Sequence, residues 1–163
     1  MRRFIFVLCL GALCLGAVAL FAAAKYDGPV PDKSDIPYLK HASKLIPLET
    51  GMMKEESGKK DESVMAMQGA NSPTRTPLAE PIFLFQYERL DPMRLELYKI
   101  ETKNGRREIK FKKKGPNGPR PFKIMVNPLG GKLYRIDVNE TLENGQYCFS
   151  PSGDDRVFCF EVF

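Results

Sequence analysis

The stretch QYCFSPSGDDRVFCF, residues 146–160, constrains the fold more than any other part of the chain. Two runs of alternating large apolar residues flank a short turn, and each run carries a cysteine. A four-residue loop from Ser152 to Asp155 sets Phe149 opposite Phe158 and Tyr147 opposite Phe160, with Val162 further along the same face. The same register sets Cys148 directly opposite Cys159 on the other face, at a cross-strand separation that a disulfide spans. The pair is therefore predicted to clip the last hairpin, closing a loop of about a dozen residues and contributing about 2 to 3 kcal/mol. Its spacing is not C-x-x-C and no neighbouring cation is evident to lower a thiol pKa, so a redox role is the weaker reading.

From Pro81 onward short apolar-alternating runs recur between turn signals: IFLFQYE, RLELYKIETK, REIKFKKK, PFKIMVN, LYRIDVN, GQYCFSP and RVFCFEVF. None is long or periodic enough for a helix, apart from a single turn at LDPMR. The pattern predicts an all-β domain over residues 81–163: an antiparallel β-sandwich or partly open barrel, Ig-like in general architecture. In LYKIETKNGRREIKF, Asn104 and Gly105 form the pair that a two-residue type I′ turn prefers, because both positions need positive φ. That turn sets Lys103 opposite Arg106, Ile100 opposite Ile109 and Tyr98 opposite Phe111, with the apolar side chains on one face.

Residues 25–80 are poor in large apolar residues and rich in Pro, Gly and charge, which predicts a flexible segment, with a mobile tether at least from Lys25 to Asp35. Two pieces inside it, residues 37–49 and 62–68, are candidates for short strands that complete a sheet.

At the other end, Arg2 and Arg3 precede an apolar run from Phe4 to Ala24 that closes on three alanines. A charged n-region, an h-region and an A-x-A-like site predict a signal peptide over residues 1–24, with a mature chain from Lys25 in the periplasm or outside the cell. The run approaches the ~20 apolar residues that span a bilayer, so an uncleaved anchor in the inner membrane is the competing arrangement. No small residue stands just before Cys9 or Cys14, which disfavours a lipoprotein. Loss of these two cysteines with the signal leaves Cys148 and Cys159 to pair in an oxidising compartment. Removal of Arg2 and Arg3 also lowers the formal charge from +5 to +3, too mild to identify a nucleic-acid binder.

Chemistry-bearing motifs are sparse. His41 is the one histidine in the chain, which leaves little from which to build a catalytic triad or a zinc site. The SGKK run from Ser57 to Lys60 matches S-x-x-K by spelling but lies in a charged run without an apolar helix. Asp154 and Asp155, and Asp27, Asp32 and Asp35, lack the arrangement of a one-loop calcium site, and turn chemistry accounts for the first pair. Asn139-Glu140-Thr141 spells a glycosylation acceptor, which has meaning only in a host that glycosylates secreted chains.

The most distinctive surface feature is basic. Lys103, Arg106, Arg107, Lys110, Lys112, Lys113, Lys114, Arg120 and Lys123 face a single acid, Glu108, within 21 residues. In the type I′ register Lys110 and Lys112 point away from the apolar face, so these residues are candidates for a polyanion-binding stripe. The competing reading is that lysines on an exposed edge keep sheets from pairing with one another. No aromatic residues interleave on the charged face, so a single-strand stacking platform is unsupported.

The ending LYRIDVNETLENGQYCFSP followed by DRVFCFEVF resembles a group of uncharacterised secreted bacterial proteins. The matching residues are Leu142, Gly145, Tyr147, Val157, Phe158, Cys159 and Phe160, and SPTRTPLAEPIFLF is similar as well. The resemblance covers about half of the mature chain, implies a bacterial envelope or secreted origin, and carries over no activity.

The sequence thus leads to the expectation of an exported, non-catalytic binding or envelope-associated β module with no cofactor and no metal. Its expected partner is an anionic envelope polymer, a lipid surface or another envelope protein, without specific nucleic-acid recognition. A hydrolase-class enzyme using loop carboxylates, or a structural spacer of the cell envelope, are the alternatives.

Overall fold

A computed structural model describes residues 26–58, 61–112 and 118–163. Residues 1–24, expected from the sequence to be a signal peptide, lie outside the described residues, as do Lys113 and Lys114. The described chain is all-β. Its strands are β1 (Pro37–His41), β2 (Lys44–Pro47), β3 (Glu49–Met52), β4 (Lys54–Ser57), β5 (Glu62–Gln68), β6 (Arg75–Thr76), β7 (Ile82–Gln86), β8 (Leu95–Lys103), β9 (Arg106–Lys112), β10 (Ile124–Gly130), β11 (Leu133–Val138), β12 (Gly145–Pro151) and β13 (Arg156–Val162). The seven runs read from Pro81 onward are β7 to β13, and LDPMR forms one 3-10 turn over Pro92–Arg94, capped by the Asp91 side chain. The expected hairpins are there too. Asn104 and Gly105 have φ of 52° and 75°, with Lys103 opposite Arg106, and the Cys148, Tyr147 and Phe149 pairings across β12 and β13 match the predicted register.

The strands form two sheets. A five-stranded sheet runs in the order β10-β11-β7-β1-β2, and a longer one in the order β3-β13-β12-β8-β9-β5-β4, with β6 added to β13. All pairings are antiparallel except the two-residue β6 on β13. The long sheet begins at β3 and ends at β4, yet only Met53 separates these two strands in the chain. Its edges therefore meet, and it curls into a nearly closed barrel.

Two cores result. One face of β8, β12 and β13 supplies Leu97, Tyr147, Phe149, Phe158 and Phe160 to a sandwich core, where the five-stranded sheet adds Leu39, Phe83, Phe85 and Ile136. Phe83 sits at its centre, 5.0 Å from both the Phe149 and Phe160 ring centroids. The opposite face of the same strands lines the barrel, with Met53, Met67, Ile100, Ile109, Val157 and the two cysteines in one cluster. Cys148 and Cys159 are disulfide-bonded across the strands, with Cα atoms 4.0 Å apart.

The largest departure from the sequence reading lies in residues 25–80, expected to be a flexible segment. Its two candidate strands, 37–49 and 62–68, are strands, and β3, β4 and β6 accompany them. All of them pair into the sheets: β1 with β7, β3 with β13, β5 with β9. The expected tether from Lys25 to Asp35 is likewise anchored over its described part. The Lys33 N–H donates to the Tyr38 hydroxyl, and the Asp35 N–H to the Gln86 carbonyl. Asp35, at φ 61°, turns its carboxylate into a nest of three successive backbone N–H groups, from Glu88, Arg89 and Leu90, at 2.9–3.0 Å.

Burial pushes the Asp35 carboxyl up, but the N–H groups of Leu90, Glu88 and Arg89 and the charge of Arg156 outweigh it and hold the carboxyl below its ordinary value. Its contribution to stability is therefore present above about pH 3.9, where the unfolded carboxyl is ionised, and is lost as pH falls through the lower folded value. Asp35→Asn keeps a residue that tolerates the left-handed backbone and removes the charge. It is expected to lower stability at pH 7 by about 1 kcal/mol or more, with the gap to the wild type closing at acid pH, as followed by urea denaturation across pH.

Candidate functional site: the two ends of the barrel

The two-residue alternation of each strand decides which side chains enter the barrel. At one end the inward positions are Tyr98 on β8, Phe111 on β9, Ser150 on β12 and Val157 on β13. The middle layer holds Ile100, Ile109, Cys148, Cys159 and Met65. At the other end stand Thr102, Arg107, Gln146 and Glu161. One barrel end is thus apolar and the other polar.

The apolar end is open. A cavity of about 50 Å³ reaches in from the surface between Met53, Met65, Tyr98, Ile109, Phe111 and Cys148, with Asp154 and Asp155 of the β12–β13 turn at its rim. Tyr98 and Phe111 meet edge to face, with ring centroids 6.0 Å apart. The Tyr98 hydroxyl donates to Glu96 at 2.8 Å. Burial, and then the hydrogen bond to and the charge of Glu96, push its pKa up to about 12, so the ring stays neutral at physiological pH. Asp154 is held below the usual carboxylate range by Arg156, which bonds it from both backbone and side chain. Neither group is poised to exchange a proton near neutrality.

The polar end is stapled from inside. Arg107 is 1 % exposed and forms a bidentate pair with Glu49, at 2.6 and 2.7 Å, while its Nε donates to the Gly69 carbonyl. This corrects the sequence reading, which counted Arg107 in the basic stripe. Two-residue steps from Phe111 and Ile109 arrive at Arg107, so the side chain belongs to the barrel interior.

The structure disperses much of the remaining stripe. Arg106 pairs with Glu108 and with Glu56 of β4, at 2.9 and 2.7 Å, and Lys110 pairs with Glu108 at 3.4 Å. Although burial raises the Glu108 carboxyl, Arg106 and Lys110 together hold it below its ordinary value. Arg120 pairs with Glu140 at 3.0 Å, and the Lys123 N–H donates to the same carboxylate. Lys103 and Lys112 are exposed on the barrel wall, and Lys123 lies in the chain leading into β10. Acids remote in sequence thus turn what reads as a basic run into a laced network.

His41 ends β1 opposite Lys44, at the exposed margin of the five-stranded sheet. The SGKK run falls partly outside the described residues. Among the described residues no three His, Cys, Asp or Glu side chains come together as a metal site, and no helix is long and apolar enough to cross a membrane. No family model matches the chain, and no curated protein or solved structure is significantly similar to it.

Removing one member of the Arg107–Glu49 pair strands a partly buried charge. Arg107→Ala is therefore expected to destabilise by about 3 to 5 kcal/mol, whereas Lys110→Ala on the outer wall should stay within about 0.5 kcal/mol of the wild type. Denaturant midpoints of the two variants check the assignment, and equal effects would contradict it.

Proposed function

We propose that the chain is an exported, non-catalytic binding module and that the apolar end of its barrel receives one compact apolar side chain of a partner protein in the same compartment. The observation that carries this reading is the open cavity between Met53, Met65, Tyr98, Ile109 and Phe111, walled by the disulfide. Ligand sites in β-barrels are commonly built at the mouth, from apolar walls with a few polar groups at the rim. Here the rim holds Asp154, Asp155 and the Tyr98–Glu96 pair. The small volume suits a branched side chain better than an acyl tail. Methionines on the wall let it adapt to the shape of its guest.

Export rests on the first 24 residues and accords with the disulfide, since such bonds persist in oxidising compartments. The β9 part of the basic run is assigned a supporting role: Arg106 and Lys110, with Glu108 and with Glu56 of β4, flank the small apolar residues Val64 and Ala66 on the outer wall, which are 8 % and 5 % exposed.

Isobutanol serves as the probe of the cavity, read by methyl resonances of protein labelled at methionine. The Met53 and Met65 methyls are expected to shift saturably, while the exposed Met93 and Met125 methyls do not, and Ile109→Phe should abolish the response. Uniform small shifts at all four methyls would overturn the assignment. For export, the protein recovered from its own host should have the mass of a chain starting at Lys25 and no reactive thiol. An intact N-terminus with four reactive thiols, Cys9 and Cys14 together with an unpaired Cys148 and Cys159, would contradict it.

A further inference from the structure

The polar end of the barrel carries a second, independent feature. Gln146 is 6 % exposed, and its Oε1 accepts the Ser72 N–H at 2.8 Å. That bond fixes which end of the amide is oxygen, so the Nε2 donors point the other way. Among the described residues Nε2 has no protein acceptor, yet no side-chain nitrogen or oxygen is sealed off without a partner. Nε2 therefore opens into the groove that Gln146 floors, an open space of about 390 Å³ bordered by Asn71, Thr102, Asn144, Glu161 and Phe163. A nearly buried amide, oriented by one bond and presenting its donors to a groove of ligand size, supplies the kind of fixed polar group around which binding sites are built.

The surrounding groups define what such a site takes. Thr102 donates its hydroxyl proton to the Ala70 carbonyl and so offers lone pairs to the groove. Glu161 is held by Arg75 at 3.0 Å, which cancels its charge without removing its acceptor capacity. The guanidinium of Arg75 lies 4.4 Å over the Phe163 ring and steadies that half-exposed aromatic at the groove wall. Asn71 and Asn144 add exposed amides that both donate and accept.

We infer that this groove binds a neutral pyranose, as a free sugar or as a unit of a neutral oligosaccharide. Vicinal hydroxyls match the paired donors and acceptors of planar amides and a carboxylate, and the apolar face of a sugar ring suits the exposed part of Phe163. Among the lining side chains Glu161 alone is charged and Arg75 pairs it, so neutral hydrogen-bonding groups dominate the groove. The groove lies across the Ile100 layer from the apolar mouth, since Ile100 borders both, so the two sites stand or fall separately.

The test titrates the intact protein with methyl β-D-glucopyranoside, methyl β-D-galactopyranoside and methyl N-acetyl-β-D-glucosaminide, and in a second arm with cellotetraose and chitotetraose. The readout is the side-chain amide signals of Gln146, Asn71 and Asn144. A saturable shift at Gln146 with at least one neutral sugar is expected, weaker by tenfold or more for glucuronate and glucosamine. A larger affinity for the tetrasaccharides would assign the polymer as the source, and equal affinity the free sugar. Gln146→Glu keeps the acceptor for Ser72 and removes the donor, and Asn144→Ala trims only the exposed rim. Each should weaken the response at least tenfold in a protein that remains folded. No shift with any neutral sugar, or variants that bind as the wild type does, would overturn the inference.

Discussion

Everything in this structure leans on one hairpin whose two faces are both buried. In β12 and β13, Tyr147, Phe149, Phe158 and Phe160 enter the sandwich core while Cys148, Val157 and Cys159 enter the barrel. Each large side chain so placed contributes about 1.5 to 3 kcal/mol relative to an exposed one. A slip of one residue would send the aromatics into the barrel and the sulfurs into the sandwich. Sheet register is fixed most strongly under such a penalty, and the Cys148–Cys159 bond adds a covalent lock to the same alignment. The sandwich and the barrel are two sides of a shared wall.

Because that wall is shared, the barrel needs few strands of its own. Strands β4, β5 and β9 complete the circuit, and the single residue Met53 joins the edges, its N–H donating to the Asp155 carbonyl. The closure leaves two unlike ends. Apolar residues at alternate positions on β8, β9 and β12 give an open mouth at one, and polar residues two positions further along give a stapled floor and a groove at the other. The same backbone geometry supplies both surfaces from which binding is argued.

Local chemistry explains which parts of this could be read in advance. Strands β7 to β13 announce themselves because apolar alternation and turn residues agree, as at Asn104-Gly105 and Ser152–Asp155. Residues 26–76 do so only at the candidate stretches 37–49 and 62–68, since β2, β3 and β4 have four residues each and β1, β3 and β5 are tied into the sheets by β7, β13 and β9, far along the chain. No local pattern foretells that Ser72 bonds the Cys159 carbonyl, or that Asp35 fills an amide nest 53 residues later in the chain. Arg107 was within reach: the alternation that placed Ile109 and Phe111 inward extends to it. Counting charges along the chain hid this, because a run of basic residues does not reveal which faces they occupy.

Native-state hydrogen exchange of the β12 and β13 amides tests the shared wall most directly. If the hairpin joins both cores, the amides of Tyr147 to Phe149 and Phe158 to Phe160 exchange last in the molecule, with the free energy of global unfolding measured by denaturant. Exchange of these amides at a lower free energy, in step with the edge hairpin of β10 and β11, would contradict it, because the hairpin would then open without dismantling the cores it is said to hold together.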